Sequence, residues 1–161
     1  PMAETTFVQD APAAEEASLG FCTFQIGGEF YGLDIVLVQE VIRSQKVFPV
    51  PTTPPYVLGV IILRGTIIPI VDIKRVLKQT PWREDPDTRL LILQQDQTVV
   101  GWAVDAVGDI AWLPVSRVEP FRTRRDEPGL KYVDRIGKVS EKAALALVDG
   151  PRLIGDLRIR G

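Results

Sequence analysis

The chain has 161 residues, with 19 Lys and Arg against 21 Asp and Glu, no histidine and a single cysteine. That length fits one ordinary domain or two very small ones sharing a core, and 45% hydrophobic with 25% charged residues are globular values that exclude a disordered chain and a disulfide scaffold. A lone Cys22 has no internal partner, which predicts a reducing, cytoplasmic compartment, and no apolar run approaches the roughly 20 residues of a membrane span, which predicts no direct membrane insertion.

Pro1 precedes Met2 and reads as a remnant of tag removal, since translation begins at Met. Residues 1–18 carry Glu4, Asp10, Glu15 and Glu16, no Lys or Arg, and no helical or strand periodicity, the pattern of a disordered acidic tail. Setting those four acids aside leaves 17 acidic against 19 basic residues in the body, 19–161. A nucleic-acid binder concentrates its cations on one face, whereas the only basic cluster here, Arg122, Arg124 and Arg125, sits beside Asp126 and Glu127. No nucleic-acid partner is expected.

Phe21 to Ile26 alternates, with Cys22, Phe24 and Ile26 on one face, and Gly27-Gly28 follows at once, which predicts a hairpin returning through Tyr31 to Ile35. From Val36 the apolar spacing of Leu37, Val38, Val41 and Ile42 fits a short helix or a continued strand. Phe48 to Pro55 holds four prolines, which lack the N–H a central ladder needs, and predicts an edge or crossing loop. Tyr56 to Leu63 and Thr66 to Val71 predict a second hairpin turning at Arg64-Gly65, with arms apolar enough that both faces should be covered. Asp72 to Lys78 predicts a short helix, favoured by the Asp at its start. Further strands are expected at Arg89 to Leu93, Val99 to Val104, Ile110 to Leu113, Ile136 to Val139, Ala143 to Val148 and Leu153 to Leu157.

Many short strands separated by Gly and Pro predict small barrels or a sandwich. An internal echo points to two similar halves, roughly 19–88 and 89–161 with some strand exchange. Tyr31-Gly32-Leu33-Asp34-Ile35 recurs as Val100-Gly101-Trp102-Ala103-Val104, an offset of 69; Tyr56-Val57 recurs as Tyr132-Val133, and Pro69 to Ile73 as Leu153 to Leu157, offsets of 76 and 84.

Catalytic chemistry finds little footing. The missing histidines remove the commonest general base and metal ligand, Cys22 lacks partners for a zinc set or a base for nucleophilic work, and no calcium loop appears, so neither cofactor nor metal is expected. Gly137-Lys138-Val139-Ser140 fails as a phosphate loop, because the first Gly such a loop needs is Tyr132. Glu84, Asp85 and Asp87 lie in a polar, Pro-containing connection that suggests no burial. Asp34, Asp72, Asp105 and Asp156 fit turn and cap roles.

Three segments resemble the CheW family: YGLDIVLVQEVI at 31–42, YVLGVIILRGTIIPIVDI at 56–73 and VVGWAVDAVGDI at 99–110, in the family's order, with the similarity running from about Phe21 to Ile159. The resemblance implies a mostly β fold of two five-stranded SH3-like β-barrels around a shared hydrophobic core, and a non-catalytic adaptor. Its implied partners are the cytoplasmic tip of methyl-accepting chemoreceptors and the regulatory domain of a CheA-type histidine kinase, in arrays at the membrane that serve chemotaxis or related motility. It further implies that the groove between barrels takes the receptor's helical hairpin. The matching positions are Val38, Glu40, Arg64, Gly65, Gly101, Val107 and Ile110; kinase-contact residues are not implied. From the residues alone, Glu40 and Arg64 also fit solvated positions beside turns, or a mutual ion pair. Two departures stand out: Ile62 replaces the family's Asn before Leu-Arg-Gly, and the chain stops at Gly161, leaving little room for a C-terminal helix. The same domain within a kinase or receiver fusion is an alternative, against which the acidic segment after Met2 argues. An oligosaccharide- or nucleic-acid-binding barrel is another.

Overall fold

The computed structural model describes residues 16–78, 83, 85–122 and 130–157. The predicted acidic tail through residue 15, Glu84 and the basic loop at 123–129 lie outside them. Eleven strands are described, β1 (Ser18–Ile26), β2 (Glu29–Asp34), β3 (Val38–Arg43), β4 (Val57–Leu63), β5 (Thr66–Asp72), β6 (Arg89–Gln95), β7 (Thr98–Val104), β8 (Ala106–Pro114), β9 (Val118–Pro120), β10 (Val133–Lys138) and β11 (Ala144–Val148). Two short helices join them, α1 (Ile73–Lys78) and α2 (Gly150–Asp156).

The strands form a six-stranded sheet in the order β8-β1-β2-β11-β10-β9 and a five-stranded sheet in the order β3-β6-β7-β5-β4. The chain itself curls each sheet shut. After β8, a 3₁₀ turn at Val115–Arg117 leads into β9, which pairs with β10 at the opposite edge; after β3, the chain reaches Phe48, which bridges to Val60 of β4. Against the expected five-and-five, the extra strand is β9, because residues 118–120 lie flat along β10 where the Pro-rich segment after Phe48 achieves only an isolated bridge.

Both sheets draw strands from both halves of the chain. Hairpin β1–β2 pairs with β8 and, in parallel, with β11; hairpin β6–β7 pairs with β3 and, in parallel, with β5. Each hairpin is therefore completed by strands that follow the other. The repeat is visible in backbone detail: Asp72 N–H donates to Tyr56 O and Asp149 N–H to Tyr132 O, both at 2.7 Å, and a register shift follows Val57 in β4 and Val133 in β10. Gly32 and Gly101 sit at the two parallel crossings, opposite Leu147 and Ile70. The counterpart of Pro69 to Ile73 is thus Ala146 to Gly150, an offset of 77, and the expected echo at Leu153 to Leu157 is corrected. Those residues form the end of α2 and its C-cap, Leu157, and the helix's first turn is set by the Asp149 side chain accepting from Arg152 N–H at 3.1 Å and by Pro151.

Three apolar clusters hold the fold. Phe21, Leu113, Leu145 and Leu147 fill the six-stranded barrel, and Ile61, Ile68, Ile70, Leu90 and Ile92 fill the five-stranded one. The third lies between them, with Phe24, Ile26 and Tyr31 from one sheet meeting Leu91, Trp102 and Val104 from the other. Alternation on β1 explains this sharing. Phe21 points into its own barrel, while Cys22, Phe24 and Ile26 point into the central core, so the strand is buried on both faces. Each fully buried side chain of this kind contributes about 1.5–3 kcal/mol.

Both predicted hairpin turns are present. Gly27 and Gly28 take φ of 58° and 83°, and Arg64 and Gly65 take 49° and 81°, the paired left-handed geometry of a two-residue turn whose twist matches its strands. After β2 a 3₁₀ turn at Ile35–Leu37, capped by Asp34, leads into β3, so Val38, Val41 and Ile42 lie on a strand and not on a helix.

Candidate functional site

The β4–β5 turn carries Arg64 outward on a left-handed backbone, a conformation that costs a non-glycine residue about 1–2 kcal/mol. Its guanidinium reaches Glu40 on β3, so an ion pair links the edge strand to the hairpin tip. The two side chains are 69% and 31% exposed, and such a pair contributes only about 0–1 kcal/mol to stability. Its consequence is orientation: Glu40 fixes where the arginine points. Val38, two residues before Glu40 on β3, is half-buried against the central core. At Gly65 an added Cβ would meet nothing within 4 Å, so the turn stands clear of the body.

Val38, Glu40, Arg64 and Gly65 therefore come together, and the other three expected positions do not join them. Gly101 is buried at the β5–β7 crossing, where a Cβ would lie 2.5 Å from Ile70 Cδ1. Val107, expected as an apolar anchor in a groove, is 4% exposed and belongs to the central core, because the irregular pairing of β8 with Phe24 turns it inward. Ile110 is exposed, but on the six-stranded sheet, opposite Cys22.

Alongside Arg64 lie residues that the sequence reasoning missed. Ile62 and Ile67 face each other across the hairpin and are 55% and 67% exposed, while Ile61 and Ile68 point inward and are buried. The expectation that both faces of this hairpin are covered is corrected: the inner face is buried at Ile61 and Ile68, and the outer face is left to solvent at Ile62 and Ile67. The period-two pattern together with the replacement of Asn by Ile at position 62 was the signal. Gln45 Nε2 donates to Ile62 O at 3.2 Å, and Lys46 Nζ sits 5.2 Å from the centre of the Phe48 ring, so the segment after β3 runs beside this tip.

The acids take structural roles. Asp34 accepts from Val36 N–H at 3.1 Å, Asp72 from Arg75 N–H at 3.1 Å and Asp105 from Gly27 N–H at 2.7 Å; Asp156 instead accepts from the Tyr132 hydroxyl at 3.0 Å. Asp85 accepts from Asp87 N–H at 2.8 Å in an exposed turn. Burial pushes the Cys22 thiol up to about 11, which makes it a poor nucleophile. Burial, with the Glu29 charge, pushes the Tyr31 phenol up to about 12. Among the described residues no cluster of three or more acids or Cys could hold a metal ion. A small hollow lies under α2, walled by Val71, Val100, Trp102, Leu153 and Ile154, with no titratable side chain in its lining. No described helix is long and apolar enough to cross a membrane.

The CheW-like domain model matches residues 20–158, all but the first two residues of β1 in the two barrels. The chain belongs to the CheW-like family. Among CheW-like proteins, chemotaxis protein CheW of Klebsiella aerogenes is 33% identical over 142 residues, spanning 88% of this chain and 85% of that one. Protein FrzA of Myxococcus xanthus is 33% identical over 140 residues, 87% of each. The crystal structure of scaffolding protein TtCheW from Thermoanaerobacter tengcongensis matches with a TM-score of 0.73 at 27% identity, covering 81% of this chain and 88% of that one. The CheW-like fold, two small barrels with a shared core, is thus the fold of this chain. Membership makes it a non-catalytic adaptor of chemosensory signalling.

Proposed function

We propose that this chain works in the cytoplasm, recruited to membrane-associated arrays, where it couples the tip of a chemoreceptor to the regulatory domain of a histidine kinase. The receptor docks on the five-stranded barrel around Val38, Glu40, Arg64 and Gly65, while Gly101 and Val107, both buried, serve the packing of the core. Ile110 lies on the other barrel and belongs to a separate contact. The observation that carries this reading is the Glu40–Arg64 pair, which holds a largely exposed arginine at the turn of the β4–β5 hairpin. A charge held in place at low cost to stability suits recognition, because rim charges set register and encounter rate. The kinase domain, of the same fold by resemblance, uses the remaining surface.

The test is a pull-down of a receptor signalling tip and a kinase regulatory domain, with wild type and Arg64→Glu. Wild type is expected to retain both, and Arg64→Glu to lose most of the receptor tip while its melting temperature stays within a few degrees. Failure of wild type to retain either partner at low salt would sink the reading.

A further inference from the structure

The tip of the β4–β5 hairpin combines two features that no structural role absorbs. Ile62 and Ile67 form a cross-strand pair with more than half of each side chain in solvent, and Val41, on the outward face of β3, is exposed as well. Cations surround this apolar step. From Ile35 to Val71 the chain carries Arg43, Lys46 and Arg64 but one carboxylate, Glu40, already paired with Arg64. Arg43 and Lys46 are exposed, and the segment holding them is tied to the hairpin by the Gln45 bond to Ile62 O and the Phe48–Val60 bridge.

An exposed apolar pair on a strand costs solubility and gains nothing for the barrel, whose interior Ile61 and Ile68 already fill. A surface that is apolar at its centre and positive at its rim complements an amphipathic helix with an apolar stripe flanked by carboxylates. We infer that Ile62 and Ile67, rimmed by Arg43, Lys46 and Arg64, select an acidic amphipathic helix, and that the apolar side chain at position 62 is the residue that sets this specificity. An Asn at position 62 would ask the partner for a hydrogen bond; Ile asks for an apolar side chain, and a polar group set against it would be buried without a partner. This deepens the receptor-docking reading and rests on it for the identity of the helix.

The experiment measures binding of the full chain to two probes by fluorescence anisotropy. One is a soluble receptor signalling tip; the other is a 20-residue helix with Leu at i, i+3, i+4 and i+7 flanked by Glu, with a control in which Gln replaces Glu. The Ile62→Asn/Ile67→Thr variant is expected to bind about tenfold more weakly with an unchanged melting temperature, and Ile62→Leu to bind as wild type does. Arg43→Gln/Lys46→Gln is expected to flatten the salt dependence, and the Gln helix to bind more weakly than the Glu helix. If the tip binds Ile62→Asn/Ile67→Thr as tightly as wild type, this inference falls and the receptor reading stands. If the tip fails to bind while the Glu helix binds through Ile62, the receptor reading falls and this inference stands. Self-association of wild type that the same double substitution abolishes would assign the patch to a second copy and overturn the inference.

Discussion

The two hairpins that complete the barrels, β4–β5 and β10–β11, occupy equivalent places and end differently. In the first, a two-residue turn lifts Ile62, Arg64 and Ile67 into solvent. In the second, the longer connection folds back, with Val139 N–H donating to Ala143 O at 3.0 Å and Val139 fully buried beside Phe21 and Leu145. The edges differ in the same sense, since β9 covers β10 with a strand and β4 receives only the Phe48 bridge. One repeat thus satisfies itself, and the other keeps an apolar, charged tip unsatisfied. The two repeats share one framework and one core, and they differ where that core imposes nothing, at the turns.

If the framework is shared, damage to its centre should not respect the boundary between barrels. Trp102 is fully buried, meets Phe24 edge-on with ring centres 6.4 Å apart, and stands in the cluster that both sheets line. Trp102→Ala is expected to cost about 3–5 kcal/mol and to lower the urea midpoint in one transition, whether followed by circular dichroism or by hydrogen exchange in either sheet. Two separated transitions would mean that the barrels are independent, and the comparison between them would lose its basis.

A smaller difference lies between the two helix starts. Asp72 and Asp149 make the same pair of contacts, a backbone donation to a tyrosine carbonyl and a side-chain cap on the following helix. Asp72, however, is 2% exposed, whereas Asp149 is half-buried. Asp72→Ala is expected to cost about 2 kcal/mol and Asp149→Ala about 1 kcal/mol, read from urea melts, because the Arg75 N–H that Asp72 caps is part-buried and less open to water than the exposed Arg152 N–H. Equal costs would show that burial does not distinguish the caps.

The legible part of this fold was its local chemistry. Gly27-Gly28 and Arg64-Gly65 announced their turns, Asp72 announced its helix, and four prolines kept Phe48 to Pro55 out of a central strand. The helix α2 stands where the echo of Pro69 to Ile73 predicts a strand, and its own signals are the helical spacing of Leu153, Ile154 and Leu157 with Asp149 and Pro151 at its start. Strand exchange was legible only in outline, because pairing between residues 31 to 115 positions apart leaves no local mark on either strand. The same reason separates Val38 from Val107: their sequence contexts repeat, yet β3 leaves the first half-buried and β8 turns the second into the core. At the candidate site, the nearness of Glu40 and Arg64 was legible through resemblance, while the exposure of Ile62 and Ile67 depends on which outer stretch of the hairpin other segments cover.

The Glu40–Arg64 pair offers the finest division between framework and function. As a surface pair it holds at most about 1 kcal/mol, so reversing it, Glu40→Arg with Arg64→Glu, should return the melting temperature to within a degree or two of wild type even if Arg64→Glu alone loses a little. Receptor binding should behave otherwise. Arg64 is the more exposed member and stands at the tip, so the reversed pair presents a carboxylate where a cation stood, and affinity for an acidic helix should stay as low as in Arg64→Glu. Recovery of binding in the reversed variant would mean that the pair matters only for holding the hairpin against β3, and the sign of the tip for nothing. The tip would then belong with the framework, and the contrast between the two hairpins would be one of shape alone.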